Sequence, residues 1–249
     1  MSLVPLTRRR FLSTLTLAAP ASSRVVRVMG ALNASQLAFA GIVAAHGSDT
    51  DRIEVYRVND GPWRLSFSTP AAAPRAIVLH PTLPVLYVAH CIAEHRHRPR
   101  GSVSAFRIDT SGARLSRMSH DPLTLAATLP DRIAIAPDGR HLVIASTTSA
   151  IFNLFPLSSD GALIPTPSPL KLPGLASSRL SVSFRASSSA VLVTTSNCVE
   201  CLEIRDGSSL ERGLPIKASE DSEVQCSSAT TLKRELAAQY AASFALLDL

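Results

Sequence analysis

The sequence predicts an all-β chain built from repeated four-stranded units, followed by one helix at the C-terminus. Three observations carry that expectation. Beyond Leu37 the chain breaks into short apolar runs, among them "RIEVYRV", "RAIVLH", "VLYVAH", "SVSAFRI", "HLVIAS" and "AVLVTTS", many of them separated by Pro, Gly, Ser or Asp. Val, Ile, Phe and Tyr dominate these runs, and such residues fit a pleated, half-buried surface. The runs recur in the same order at a spacing of roughly 50 residues, as in an array of similar sheets. No helical period interrupts them before the C-terminal segment.

The elements follow in order. Thr7 to Ala21 reads "TRRRFLSTLTLAAPA": a basic start, a short apolar middle and a small-residue stretch at Ala19-Pro20-Ala21. That is the order of parts in an export signal. The apolar run is too short to span a bilayer, which takes about 20 residues. Thr7, Arg8, Arg9, Phe11 and Leu12 resemble the twin-arginine signal. The resemblance implies recognition by the twin-arginine export machinery and a periplasmic or extracellular destination in a bacterium. Such signals are receptor-read addresses, not anchors. A plain basic N-terminal arm is the other reading. Residues 1–36 are assigned to this signal and a linker.

Residues 37–227 hold the repeats. "RAIVLHPTLPVLYVAH" from Arg75, "RIAIAPDGRHLVIAS" from Arg132 and "RLSVSFRASSSAVLVTTS" from Arg179 are each a strand, a polar turn and a second strand. A third strand follows each one, and the turns at Ser111-Gly112, Asp160-Gly161 and Asp206-Gly207 lead into a fourth. Glycine supplies the positive φ such turns use. An earlier partial unit carries the same turn at Asp60-Gly61. Four strands per unit at this spacing predict a β-propeller. A β-sandwich, the alternative, does not demand this repeated order. Residues 228–249 are rich in Ala and Leu, and the helix is expected from about Thr231 to Leu247.

"APDGRHLVIAS", "GSVSAFRIDTSGARLS" and "FPLSSDGAL" resemble the lactonase family of seven-bladed β-propellers, which includes the 6-phosphogluconolactonases. The resemblance runs from Leu37 to Gly213. It implies hydrolysis of a sugar lactone, with a ligand site on the face where second-to-third and outer-to-inner loops meet. The alternative is a non-catalytic exported propeller that binds a ligand or a protein partner there. This chain departs from the family in two ways. It holds about four blades' worth of strands, so the arc either closes as a smaller ring, pairs with a second copy in a homo-oligomer, or is a shortened form. Where a histidine is expected ahead of two inner strands, it has Leu129-Pro130-Asp131-Arg132 and Ala176-Ser177-Ser178-Arg179.

Lactone hydrolysis needs a general base for water and a donor for the developing oxyanion. Arg132 and Arg179 fit the second role but not the first, since arginine stays protonated. Asp131 stands beside them as a candidate base, with His80, His90, His95 and Glu94 as others. Arg75 precedes the inner strand of its unit as Arg132 and Arg179 do, so the three are expected to converge. The loop "HCIAEHRHRPRG" carries His90, Glu94, His95, Arg96, His97, Arg98 and Arg100. Arginine forks suit carboxylate and phosphate, so this loop is the candidate site for the anionic part of a ligand. A solvated basic loop is the plainer reading. A metal held by His90, His95 and His97 fits no standard spacing.

The formal net charge of +6 suits an anionic small molecule. It argues less for nucleic acid, because the arginines are dispersed and aromatic interleaving is sparse. No phosphate loop, dinucleotide fingerprint or ordered Ser-His-Asp set stands out, and no cofactor is expected. Cys198 and Cys201 lie three apart on an expected strand and point to opposite faces. They are too far apart for a disulfide. Packed or free thiols are expected, with Cys226 as an alternative partner for one of them.

Overall fold

A computed structural model describes residues 23–29, 37–44, 51–57, 64–165, 167–172, 174–175, 180–187, 189–195 and 199–213. The twin-arginine stretch, Asp60-Gly61, Arg179, Cys198, Cys226 and the expected C-terminal helix lie outside these residues. All the described elements are strands.

Among the described residues sixteen strands form four antiparallel four-stranded sheets. Sheet 1 is β1 (Ser23–Met29), β2 (Leu37–Ala44), β3 (Arg52–Arg57) and β4 (Arg64–Pro70). Sheet 2 is β5 (Pro74–Leu79), β6 (Val85–His90), β7 (Ser102–Asp109) and β8 (Arg114–Pro122). Sheet 3 is β9 (Arg132–Ile135), β10 (His141–Ser146), β11 (Ile151–Pro156) and β12 (Ser168–Lys171). Sheet 4 is β13 (Ser181–Phe184), β14 (Ala190–Thr194), β15 (Val199–Arg205) and β16 (Ser209–Arg212). Each is a simple meander. The first strands of successive sheets touch: β1 meets β5, β5 meets β9 and β9 meets β13. β1 falls in the stretch that the sequence assigns to a linker, and it pairs with β2 from Ser23↔Ala44 to Met29↔Phe39. Its two arginines hide the apolar alternation that marks the other strands.

Side chains alternate across a strand, and here both faces are covered. On β6, Leu86 and Val88 pack toward sheet 1 with Phe39, Ile53, Val55 and Phe106. Val85, Tyr87 and Ala89 pack toward sheet 3 with Leu142, Ile144 and Phe155. On β10, Val143 and Ala145 turn to sheet 4, against Val182, Val191 and Leu202. Among the described residues three core layers lie between sheets, and a smaller cluster of Ala190, Leu192 and Cys201 lies on the other face of sheet 4. This is why β6 is buried at every position while the outer strand β4 is largely exposed.

A meander puts its connections at two ends. First-to-second and third-to-fourth connections share one end, the turn end. Second-to-third connections share the other with the segments that join one sheet to the next, the loop end. At the turn end neighbouring sheets are latched by single side chains. His80 Nε2 donates to the Gly139 carbonyl at 3.1 Å, while its Nδ1 accepts from the Leu83 amide at 3.0 Å. His141 Nε2 bonds the Gly207 carbonyl at 2.9 Å, and the Tyr87 hydroxyl donates to the Gly161 carbonyl at 2.7 Å. His80 is thus at the end away from the arginine-rich loop and leaves the set of candidate bases.

Candidate functional site

The loop end carries the sequence-predicted residues, and their surroundings differ sharply. Arg75 is exposed and sits at a register shift of β5, between Pro74 and Ala76. Arg132 opens β9 and is half-buried. Its Nε donates to the Leu180 carbonyl of the next sheet's entry at 2.8 Å, and its Nη1 donates to Asp131 Oδ2 at 2.8 Å. Asp131 also accepts from Thr147, through the amide at 3.1 Å and the hydroxyl at 2.8 Å. This knot ties the β8–β9 connection to the β10–β11 connection. Cys91, just past β6, is half-buried and lies within electrostatic reach of both Arg75 and Asp131. Burial pushes its thiol up, so it stays protonated at neutral pH.

The β6–β7 loop is a small hairpin standing on the sheet. His95 and Arg98 exchange backbone bonds of 3.0 and 3.2 Å around Arg96-His97. Arg96 and His97 both have positive φ, 50° and 58°. A two-residue turn with both central residues left-handed matches the twist of a hairpin, but Asn and Gly are the usual occupants. Non-glycine residues there are strained. Arg96, His97 and Arg98 are exposed at the tip, and His97 Nδ1 lies 3.4 Å from Glu94 Oε1. The loop is braced by the β8–β9 connection: Leu129 N donates to Ile92 O at 2.9 Å, Ala126 N to Pro99 O and Gly101 N to Ala127 O, both at 2.8 Å. A Cβ on Gly101 would fall 2.3 Å from Pro130 Cδ, so only glycine lets the two loops meet.

The other side of the hairpin faces inward. His90 is 2% exposed. Its Nδ1 donates to the Ala72 carbonyl at 2.7 Å, and its Nε2 faces the Ser104 hydroxyl at 2.8 Å. Burial and the neighbouring cations push its pKa down to about 4, so the ring is neutral. His120 of β8 lies over it, ring centroids 5.1 Å apart, and bonds Ser102 Oγ at 2.9 Å. His95 lies over His120 in turn, at 4.8 Å. Burial lowers both of their pKa values too, helped by nearby arginines. His90 and His95 therefore serve to seat the loop. His90 is buried and His95 is half-buried, and both part from His97 at the exposed tip. Among the described residues no cluster of His, Cys, Asp or Glu is arranged to hold a metal ion.

His120, Ser102, Ser104 and Thr147 belong to this end and were not singled out from the sequence. Ser102 and Ser104 alternate at the head of an apolar strand, a sign of one polar face. His120 was hidden by the register shift between β7 and β8 at Ala105/Phe106, which resets which side each β8 residue takes. Cys201 is buried on β15 as a free thiol.

The fold is propeller-like. The chain is similar to a periplasmic gluconolactonase from Pseudomonas aeruginosa, with a TM-score of 0.58 at 17% identity over 78% of this chain and 53% of the other. It is similar to a candidate 6-phosphogluconolactonase from Bacteroides uniformis, with a TM-score of 0.59 at 17% identity over 76% of this chain and 56% of the other. It is also similar to Chaetomium thermophilum Sqt1, solved bound to the N-terminus of a ribosomal protein, with a TM-score of 0.54 at 12% identity over 78% of this chain and 51% of the other. This chain spans little more than half the length of these proteins. No protein-family model matches the sequence. No curated protein matches it either.

Proposed function

We propose that this chain is a lactonase-like propeller protein that takes a sugar lactone with an acid group at its loop end and opens the ring with water. One observation carries the reading: the loop end gathers Arg75, the Asp131–Arg132 knot and the basic hairpin tip on connected loops. Arg96 and Arg98 offer guanidinium forks for the acid group. Arg75 is exposed, and its donors suit the oxyanion that develops as water attacks the lactone carbonyl. Arg132 has its plane fixed by Leu180 and Asp131, which favours a positioning role. Glu94 is the carboxylate best exposed to act as base. Two neighbours with lactonase names support the class of reaction. Arg179, outside the described residues, belongs to the proposal through the sequence repeat alone. Export by the twin-arginine machinery to the periplasm belongs to it through Thr7–Leu12, and a homo-oligomer that extends the arc is compatible with it.

A second reading has its own support. Asp131 already accepts three hydrogen bonds, from Arg132 and Thr147, which engage both of its oxygens in holding the loops together. That favours a non-catalytic binder. The deciding experiment follows proton release from 6-phosphogluconolactone and from neutral lactones, beside Arg75→Ala and Glu94→Gln. Turnover above the spontaneous rate that falls in either variant supports the enzyme. A folded protein with no turnover, yet with measurable binding of the corresponding phosphosugar acid, makes the binder the function.

A further inference from the structure

We propose that the His90–His120–His95 stack is an acid-sensitive latch that seats the β6–β7 hairpin on sheet 2 at neutral pH and releases it on acidification. The geometry is a chain of contacts. His90 is fixed to the inter-sheet connector through Ala72 and to β7 through Ser104. His120 bridges from the outer strand, and His95 is the hairpin residue that rests on it. The hairpin's side-chain footing on the sheet thus runs through three rings that each take up a proton.

The charged surroundings set the direction. From the loop, Arg96 and Arg100 act on His95, and Arg96 also acts on His120. From β8, Arg117 acts on His90 and His120, while Asp121 is the one acid that favours a proton on His120. The connector side contributes Asp51, whose carboxylate is engaged with the Ala73 amide at 2.9 Å. β4, which runs beside β8, has Arg64 at its turn-end start, remote from the rings. His95 Nε2 and Arg100 Nε are buried without partners among the described residues, so a proton on His95 would find no acceptor there. A second cation in the stack meets the first at about 5 Å in a basic environment.

Released, the histidines return to water and titrate near the ordinary value of about 6.5. Seated, all three have lowered pKa values. The released form therefore binds more protons as pH falls below about 6.5, and acid shifts the equilibrium toward it. Release would free Arg96 and His97 from a strained turn, which adds to the same direction.

The test is amide hydrogen exchange on the full chain at about pH 7.5 and about pH 5, corrected for intrinsic exchange. The amides of His95, Arg98, Gly101 and Leu129 are the reporters, since each is hydrogen-bonded in or against the hairpin. Their protection should fall by about tenfold or more, the equivalent of one pKa unit of linkage, while β10 and β14 keep theirs. In a His95→Phe, His120→Phe variant the stacking surface stays and two of the three proton sites go, His90 remaining, so the acid loss of protection in the hairpin should shrink clearly against the native chain. Flat protection in the native chain overturns the latch, and so does equal loss across all sheets. An unchanged acid response in the folded double variant overturns it as well. If the variant does not fold, the native profile decides alone. Neither readout depends on lactone turnover.

Discussion

The two ends of the sheets use the same residue types for different work. At the turn end, His80 and His141 reach singly across a sheet boundary to a carbonyl that follows a tight turn. At the loop end, His90, His120 and His95 face one another, and the carbonyl bond of His90 is one part of a larger cluster. Among the described residues, each turn-end latch of His80 and His141 is a single histidine–carbonyl bond with no second imidazole stacked on it. A stack of three beside Arg96, Arg100 and Arg117 is conditional. The turn end holds the arc together, and the loop end is where strain and exposed charge collect.

The sharpest break in that comparison is His90→Ala. It empties a buried site and strands the Ala72 carbonyl and the Ser104 hydroxyl, so stability should fall by about 3 kcal/mol in denaturant titrations. Acid should act through the same residue. With a folded value near 4 against about 6.5 unfolded, the neutral ring's contribution is complete above about pH 6.5 and is lost as pH falls toward 4. That loss is worth about 3 kcal/mol, read from unfolding free energies across this window. At the turn end, Gly139→Ala should cost about 2 kcal/mol. Its φ is +72° and a Cβ would lie 2.4 Å from the His80 ring. Tyr87→Phe should cost about 1 kcal/mol, since it removes one buried bond to Gly161. The smallest change runs the other way: His97→Gly relieves a left-handed residue and should stabilise the hairpin by about 0.5 kcal/mol, seen as a raised denaturation midpoint. A destabilising His97→Gly would mean the tip is held by contacts rather than strained.

The repeat of strand, turn, strand, strand, turn and strand was legible because the middle strands of each sheet are largely buried on both faces, and such strands read as apolar runs in a fixed order. Asp160-Gly161 and Asp206-Gly207 marked their turns because positive φ leaves a signature in local sequence. β1 was not legible: Arg24 and Arg27 break the apolar alternation that marks the other strands. At the site, the exposed tip of Arg96, His97 and Arg98 followed from composition. The inward turn of His90 and His95 did not, because "HCIAEHRHRPRG" reads as uniformly polar whichever side faces the sheet.

The sequence by itself determined that this chain makes repeated four-stranded sheets with one basic loop among them. Local patterns of apolar runs and turn residues carry that information. Only the tertiary structure decided that His120 completes a stack with His90 and His95, that Asp131 and Arg132 are bound to each other, and that His80 belongs to the opposite end. Those outcomes depend on register, on a bulge and on which sheet lies next door, and no short stretch of sequence encodes them.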